Sequence, residues 1–308
     1  MSFVCRDEPR SVRRDESGIV CQDEARIVRR DEEGPLRAAE ASGFRRVRGL
    51  WCARLAVQDG RSYLAHSRQC APLKVAKPFA QEDGGLSICV MDCSPGLLNG
   101  DRQEIDCFLE PHAKLCLHMQ AALKLHPSRV ADGVSEQLSR FHVAQGALLE
   151  FLAEPVIPFA GARFHGRTIV EMEAGGAAVF SEIITPGRLA RGECFDYQEV
   201  HTHFSVYWDG ELALWDSLRL QPATWKDAVH PLGEYTHIGT LLVLSEAVAE
   251  RHVEWLHAHL SACGPGVYGG ASLVERGLAV RVLGVAAWEL QQCLAECWRW
   301  MKRETGCG

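Results

Sequence analysis

Residues 105–119 read IDCFLEPHAKLCLHM, and this stretch carries the pattern that decides the fold. Residues 105–109 and 113–119 each place apolar side chains at alternate positions, which is typical of β-strands. Glu110 and Pro111 between them form a turn signal. The stretch is therefore predicted to be two short strands joined by a tight turn.

The same pattern extends in both directions along the chain. Further short strands are predicted at residues 51–57, 63–66, 86–91, 147–152, 168–172 and 177–184. Turn signals separate them, among them Asp59-Gly60, Gln145-Gly146 and Gly175-Gly176. This regular spacing predicts a mainly β fold of stacked sheets rather than alternating βαβ units.

The end of the chain has a helical pattern instead. Residues 247–262 and 285–302 each place apolar, His and Cys side chains at helical spacings, which predicts two C-terminal α-helices. A glycine-rich break, residues 264–270, is predicted between them. Trp298, Trp300 and Met301 are either an exposed partner surface, since aromatic anchors dominate interfaces, or core residues.

A charged repeat occupies the beginning of the chain. Residues 5–18 (CRDEPRSVRRDESG) recur as residues 21–34 (CQDEARIVRRDEEG). Because this segment has little apolar surface to bury, residues 1–48 are predicted to be disordered. Residues 49–308 are predicted to form the folded domain.

Composition excludes several classes of function. The 308 residues carry a formal net charge of −7, which argues against nucleic acid as a partner. We find no apolar run long enough to span a membrane and no secretory signal, so a cytoplasmic protein is expected. The 13 cysteines include no Cys-x-x-Cys pair, which argues against a zinc ribbon. The sequence has no nucleophile elbow or phosphate loop, so we expect a binding protein rather than an enzyme.

His201 and His203 support the best enzymatic alternative. Two imidazoles on one strand face resemble the metal-binding pattern of cupins. A cupin also needs a Glu a few residues later, and here only Asp209 is available. A surface histidine pair is the competing interpretation.

Several motifs, taken in order, resemble one family. They are residues 94–101 (SPGLLNGD), 119–124 (MQAALK), 146–151 (GALLEF), 181–188 (SEIITPGR) and the Gly192-Glu193 pair with Phe195. Together they resemble the UreD (UreH) family of urease accessory proteins over residues 49–303. Leu123 and His126 depart from the Thr and Tyr that are usual in that family.

The resemblance implies a fold, partners and a role. It implies β-helix-like stacked sheets with two C-terminal α-helices and no catalytic activity. It also implies assembly with UreF-like and UreG-like accessory proteins, of which the second is a GTPase, and docking on apo-urease. Nickel is then a cargo that moves through a water-filled passage, and the chain has no cofactor of its own.

Four acidic residues in or beside these motifs are candidate contacts for nickel in transit. Isolated carboxylates bind a divalent ion without trapping it, because each offers an incomplete site. We predict that Asp101, Glu182 and Glu193 line the passage, with Glu104 as a further candidate. The alternatives are that Asp101 caps its own turn and that Glu193 pairs with Arg188 or Arg191.

Other motif residues have architectural or partner-facing roles in this interpretation. They are Gly100, Gln120, Lys124, Gly187 and Arg188. An arginine can bridge several oxygen atoms and fix a corner of a sheet. An assembly adaptor that never contacts nickel remains the third functional hypothesis, beside the nickel-delivery scaffold and the cupin-like enzyme.

Overall fold

Strands dominate the part of the chain that the computed structural model describes, which is residues 47–128, 133–225, 231–264 and 266–306. In chain order they are β1 (Arg48–Gln58), β2 (Arg61–Cys70), β3 (Leu73–Val75), β4 (Phe79–Ala80), β5 (Leu86–Asp92), β6 (Arg102–Leu109), β7 (Lys114–Met119), β8 (Leu123–Leu125), β9 (Ser135–Val143), β10 (Leu148–Leu152), β11 (Val156–Pro158), β12 (Arg163–Met172), β13 (Ala177–Ile184), β14 (Glu199–Trp208), β15 (Glu211–Leu220), β16 (His237–Leu244), β17 (Val267–Val274) and β18 (Gly277–Gly284). The α-helices are α1 (Glu250–Ala262) and α2 (Ala287–Thr305). The predicted mainly β fold with two C-terminal helices is confirmed.

The strands form two stacked sheets. The first sheet has the order β15-β14-β12-β9-β6-β1-β2, and the second has the order β17-β18-β16-β13-β10-β7-β5-β3. The central strands of each sheet run parallel: β6, β9, β12 and β14 in the first, and β5, β7, β10 and β13 in the second. Because the chain alternates between the sheets, each winding adds one parallel strand to each of them. This is the winding of a β-helix.

The corners of successive windings stack on one another. The His112 N–H donates to the Gln145 carbonyl (3.0 Å), and the Gly146 N–H donates to the Gly175 carbonyl (3.2 Å). Gly146 and Gly175 have φ angles of 67° and 76°, in the left-handed region that glycine tolerates best. The turn signals read from the sequence therefore mark the corners of the winding.

Both helices pack on the face of the second sheet that points away from the first. One apolar cluster joins strand residues to helix residues, including Val179, Ile183, Leu241, Leu256, Leu290, Leu294 and Trp298. Buried Glu150 on β10 accepts hydrogen bonds from the Trp298 indole N–H and from the Lys302 ammonium group. These contacts fix α2 on the sheet, because a buried carboxylate without partners is costly.

For the C-terminal region, the structure supports the core interpretation of Trp298, Trp300 and Met301 and corrects the expectation of a glycine-rich break. Trp298 and Met301 are 3% and 0% exposed, and Trp300 stacks on Trp255, so these side chains belong to the core. The predicted glycine-rich break is largely strand β17, which pairs with β18. A Cβ at Gly269 would lie 2.6 Å from the Arg281 carbonyl oxygen, so glycine permits this close pairing.

The predicted N-terminal segment, residues 1–48, falls mostly outside the described residues. Residues 1–46 are not described, and Arg48 already begins β1. Among the described helices, none is long and apolar enough to cross a membrane.

Candidate functional site

A band of polar side chains crosses the space between the two sheets. On β13, Glu182 lies between Phe180 and Ile184, which belong to two different apolar clusters. The same apolar–polar–apolar order recurs on two other strands, with Thr202 at the centre on β14 of the first sheet and Thr240 at the centre on β16 of the second sheet. The polar band therefore separates two hydrophobic clusters of the sheet stack.

A cavity of about 140 Å³ follows this band, and it has room for several water molecules. Polar lining residues come from both sheets, among them Gln103, Gln137, Ser139, Thr168, Thr202, Glu182 and Thr240. The charged lining residues are Asp92, Glu154, Glu182, Asp216, Lys124, Arg167 and Arg281, which gives four carboxylates against three cations. The lining between the sheets therefore combines polar groups with charges of both signs.

Asp92 begins a line of hydrogen bonds at one side of the cavity. The Gln103 side-chain NH2 group donates to the Asp92 carboxylate (2.6 Å). The Gln137 side-chain NH2 group donates to the Gln103 side-chain oxygen Oε1 (3.4 Å). These three residues lie on β5, β6 and β9, so polar groups run from strand to strand across the stack.

Glu182 is a cavity-lining carboxylate and is buried between the two sheets. It accepts a hydrogen bond from the Thr202 hydroxyl (3.0 Å), and Asp216 and Arg281 form an ion pair between the two sheets. Burial raises the pKa of Glu182 to about 7, although the Thr202 hydrogen bond and Arg281 oppose this rise. Near neutral pH the carboxyl group is therefore partly protonated, and a cation can displace its proton.

This pKa predicts how stability depends on pH. The folded carboxyl keeps its proton to about pH 7, whereas the unfolded group loses it near its ordinary pKa of 4.5. The folded state therefore binds more protons between these values, and the free energy of unfolding falls as pH rises through this window. Glu182→Gln removes this cost. We compare the free energies of unfolding of E182Q and wild type at each pH. We expect the difference, in favour of E182Q, to grow by roughly 1–3 kcal/mol between about pH 5 and about pH 8.

Urea denaturation at several pH values measures this difference, and Glu193→Gln is the matched control. Arg188 lowers the pKa of Glu193 by a hydrogen bond, so its titration lies below this pH window. An E182Q difference that stays constant with pH would contradict the assignment of Glu182 as a buried carboxyl group.

Two of the family-like motifs meet in the lining of the cavity. Pro95 and Gly96 of the first motif, with Gln120 and Lys124 of the second, are lining residues. The Leu97 N–H donates to the Lys124 carbonyl (2.9 Å). Gly96 has a φ of 125°, and a Cβ there would lie 2.3 Å from the Lys124 carbonyl oxygen. Glycine is therefore required where these two segments touch.

Gly96→Ala is expected to lower the free energy of unfolding by about 2 kcal/mol or more, from backbone strain plus this clash. Gly210→Ala is the matched control, because Gly210 also has a positive φ of 87° but no atom within 4 Å of its Cβ position. Denaturation of both variants measures the difference. If Gly96→Ala and Gly210→Ala lower the free energy of unfolding equally, the close approach to Lys124 adds nothing to the cost at Gly96.

Asp101 and Glu104 lie outside the cavity lining, each with its own contacts. The Asp101 carboxylate accepts hydrogen bonds from the Val47 N–H (2.8 Å) and the Leu98 N–H (3.0 Å), so it closes the turn from Leu98 to Asp101 that contains Gly100. Glu104 pairs with Arg48 (2.7 Å) and Arg102 (2.8 Å). The structure therefore gives Asp101 the turn-capping contacts of the alternative interpretation.

Glu193 also lies away from the cavity lining. It pairs with Arg188, whose guanidinium group stacks 4.0 Å from the centre of the Phe159 ring. Gly187 has a φ of 134°, and a Cβ added at this position would lie 3.1 Å from the Glu193 carbonyl oxygen. The contacts among Arg188, Glu193 and Phe159 therefore hold this corner. Of the four predicted carboxylates, only Glu182 lines the cavity. A contact of nickel with Asp101, Glu104 or Glu193 stays a prediction.

The cupin-like interpretation of His201 and His203 is wrong for the fold. Their rings lie 4.0 Å apart, and His201 shares a cluster of potential ligands with His165 and Glu199. Their strand β14 runs parallel to β12, whereas cupins are antiparallel jelly rolls. Glu199 is already paired with Arg219 at 2.7 Å.

Comparison with known proteins gives a consistent result. Residues 49–307 match the family model of the UreD urease accessory protein. The chain is 31% identical to the urease accessory protein UreD of Acetivibrio thermocellus over 243 residues, which is 78% of this chain and 92% of that protein. It is 33% identical to the UreD of Lysinibacillus sphaericus over 63% of this chain and 74% of that protein. The urease accessory protein UreH of Helicobacter pylori is 31% identical over 61% of this chain and 70% of its own length.

Proposed function

Because the chain belongs to the UreD family of urease accessory proteins, we propose that it is a nickel-delivery scaffold in the maturation of apo-urease. The family is one of accessory proteins and not of enzymes. The scaffold acts in the cytoplasm with a UreF-like protein and a UreG-like GTPase. It binds nickel only in transit.

The polar cavity between the sheets is the observation that supports this proposal most. Ni²⁺ keeps part of its water shell when it meets only one or two oxygen ligands at a time. The lining offers such ligands at intervals: Asp92, Glu154, Glu182 and Asp216, with hydroxyl and amide groups between them. An ion can therefore move along the band without a complete protein cage to hold it.

Glu182 is the residue that controls the transit of nickel. Its pKa of about 7 means that a proton and a metal ion compete for the same carboxylate near neutral pH. Nickel is bound when the proton leaves and is released when the proton returns. A carboxylate that was always ionised would hold the ion longer, and a neutral side chain would offer it only a weak ligand.

Co-expression of this chain with a UreF-like protein, a UreG-like protein and apo-urease tests the proposal. We expect a stable complex that gains urease activity when nickel and GTP are added. Omitting this chain is the control. A complex that forms without this chain and reaches full activity would contradict the role.

Two carboxylate variants test whether Asp101 and Glu193 contact nickel in transit. Asp101→Ala and Glu193→Ala, measured for nickel content and urease activation, decide whether these two residues belong to the passage. Unaltered activation removes them from it and leaves the cavity carboxylates. Full activation of urease by a variant with an altered cavity lining would favour the hypothesis of an adaptor that does not contact nickel.

A further inference from the structure

The two C-terminal helices bring four potential metal ligands together. His259 and Cys263 lie one turn apart at the end of α1, and Cys293 and Cys297 lie one turn apart on α2. Residues four apart project from the same face of a helix. Each helix therefore directs two ligand side chains towards the other.

The distances suit one small ion. The ligand atoms of His259, Cys293 and Cys297 lie within 4.8 Å of one another. The Cys263 sulfur lies 3.8 Å from the Cys293 sulfur. A tetrahedral Zn²⁺ site with bonds of about 2.3 Å to sulfur places its sulfur atoms about 3.8 Å apart. The Cys263 thiol now donates a hydrogen bond to the His259 carbonyl oxygen (3.4 Å), so its side chain would have to turn to join the other three ligands on one ion.

His259 supplies an independent observation. Its Nε2 atom is buried and has no hydrogen-bond partner among the described residues. The Glu296 carboxylate is 3.7 Å away, too far for a hydrogen bond. The ring stacks on Trp255 at 4.8 Å between centroids, which fixes its plane. A buried nitrogen without a partner costs free energy, and a metal ion would satisfy it.

We propose that His259, Cys263, Cys293 and Cys297 form a Zn²⁺ site that joins the two helices. Three sulfur ligands with one imidazole are a common donor set of structural zinc sites, which are closed and tetrahedral. The site differs from the passage, because none of these residues lines the cavity between the sheets. It stabilises the helix pair on the outer face of the second sheet, whether or not nickel moves inside.

The cysteines alone would also fit two simpler roles. Buried cysteines often act as small apolar residues, and Cys293 and Cys297 do belong to an apolar cluster. Cys263 and Cys293 are also near enough to form a disulfide after a small movement. Neither role provides a partner for the buried His259 nitrogen, whereas a metal ion does.

Binding of Co²⁺ by the purified full chain under reducing conditions tests the site. Co²⁺ stands in for Zn²⁺ and absorbs visible light strongly when its ligands are tetrahedral, with a sulfur-to-metal charge-transfer band in the near ultraviolet. We expect about one Co²⁺ per chain with both features, and displacement by Zn²⁺. Absence of the charge-transfer band in the reduced protein would overturn the proposal.

Variants assign the ligands. Cys293→Ser with Cys297→Ser is expected to abolish the charge-transfer band, whereas Cys70→Ser with Cys93→Ser is the matched control and keeps it. If the first pair fails to fold, His259→Ala decides instead: we expect at least about tenfold weaker Co²⁺ binding, since even outer partners of a metal site matter by about that factor. Unchanged binding in His259→Ala overturns the site, as does a Cys263–Cys293 disulfide that persists in the protein as isolated.

Discussion

Replacing Glu182 with alanine is expected to reduce nickel-dependent activation of urease at least about tenfold, because the cavity loses the carboxylate in which a proton and a metal ion compete. The side chain lines the cavity and contacts Thr202 at 3.0 Å. Its removal leaves the backbone of β13 in place, so the sheet stack should persist. The measurement is urease activity and nickel content after reconstitution with wild-type or variant scaffold, a UreF-like protein, a UreG-like protein, nickel and GTP.

Glu193→Ala is the matched control for this result. Glu193 is also a carboxylate in a family-like motif, but it pairs with Arg188 and does not line the cavity. We expect it to retain activation within about twofold, in keeping with the small effect of most partly exposed ion pairs. Equal losses in the two variants would show that the effect does not come from the cavity.

Thr168→Phe is expected to abolish most activation by blocking the passage. Thr168 lies on β12 with its side chain among the cavity-lining groups. A phenyl ring there occupies much of a cavity of about 140 Å³ and displaces water that a moving ion needs. Nickel incorporation into urease should fall in parallel with activity, while the complex with the partner proteins still forms.

The neighbouring residue gives a control of equal size. Ile169 is next to Thr168, so its side chain points to the opposite face of β12, away from the cavity. Ile169→Phe should therefore leave activation near the wild-type level. If Thr168→Phe also activates urease normally, the hypothesis of an adaptor that never contacts nickel explains the family role better.

The sequence was a good guide to the fold, because turns and strands have local signals. Gly146 and Gly175 occupy left-handed corners that their neighbours in sequence mark as turns. The alternation in residues 105–109 and 113–119 matches β6 and β7 in place and type. Strand β17 was missed, since its two central glycines resemble a loop and only the pairing with β18 makes them a strand.

The site was harder to predict from the sequence. Glu182 lies in a family-like motif, whereas Thr202, Thr240 and Gln137 belong to none of the motifs. They become a group only when β9, β13, β14 and β16 stack, which the sequence order alone does not specify. One signal was present in the sequence: each of Glu182, Thr202 and Thr240 lies two residues from an apolar side chain in both directions. A polar residue at an inward position of several strands marks a wet interior.

The metal-ligand cluster of the two helices shows the same limit. The sequence contains no Cys-x-x-Cys pair, yet the i, i+4 spacing of Cys293 and Cys297 is the one that a helix requires. The partner ligands His259 and Cys263 lie more than thirty residues before Cys297. Only the packing of α1 against α2 brings them together.

Anomalous diffraction at the nickel edge tests the passage most directly. Crystals of the scaffold in complex with its UreF-like partner would be soaked in nickel. The proposal predicts an anomalous peak between the two sheets, within about 3 Å of a Glu182 carboxylate oxygen, that weakens in Glu182→Ala crystals. Nickel found only on the protein surface, with a dry space between β13 and β14, would contradict it.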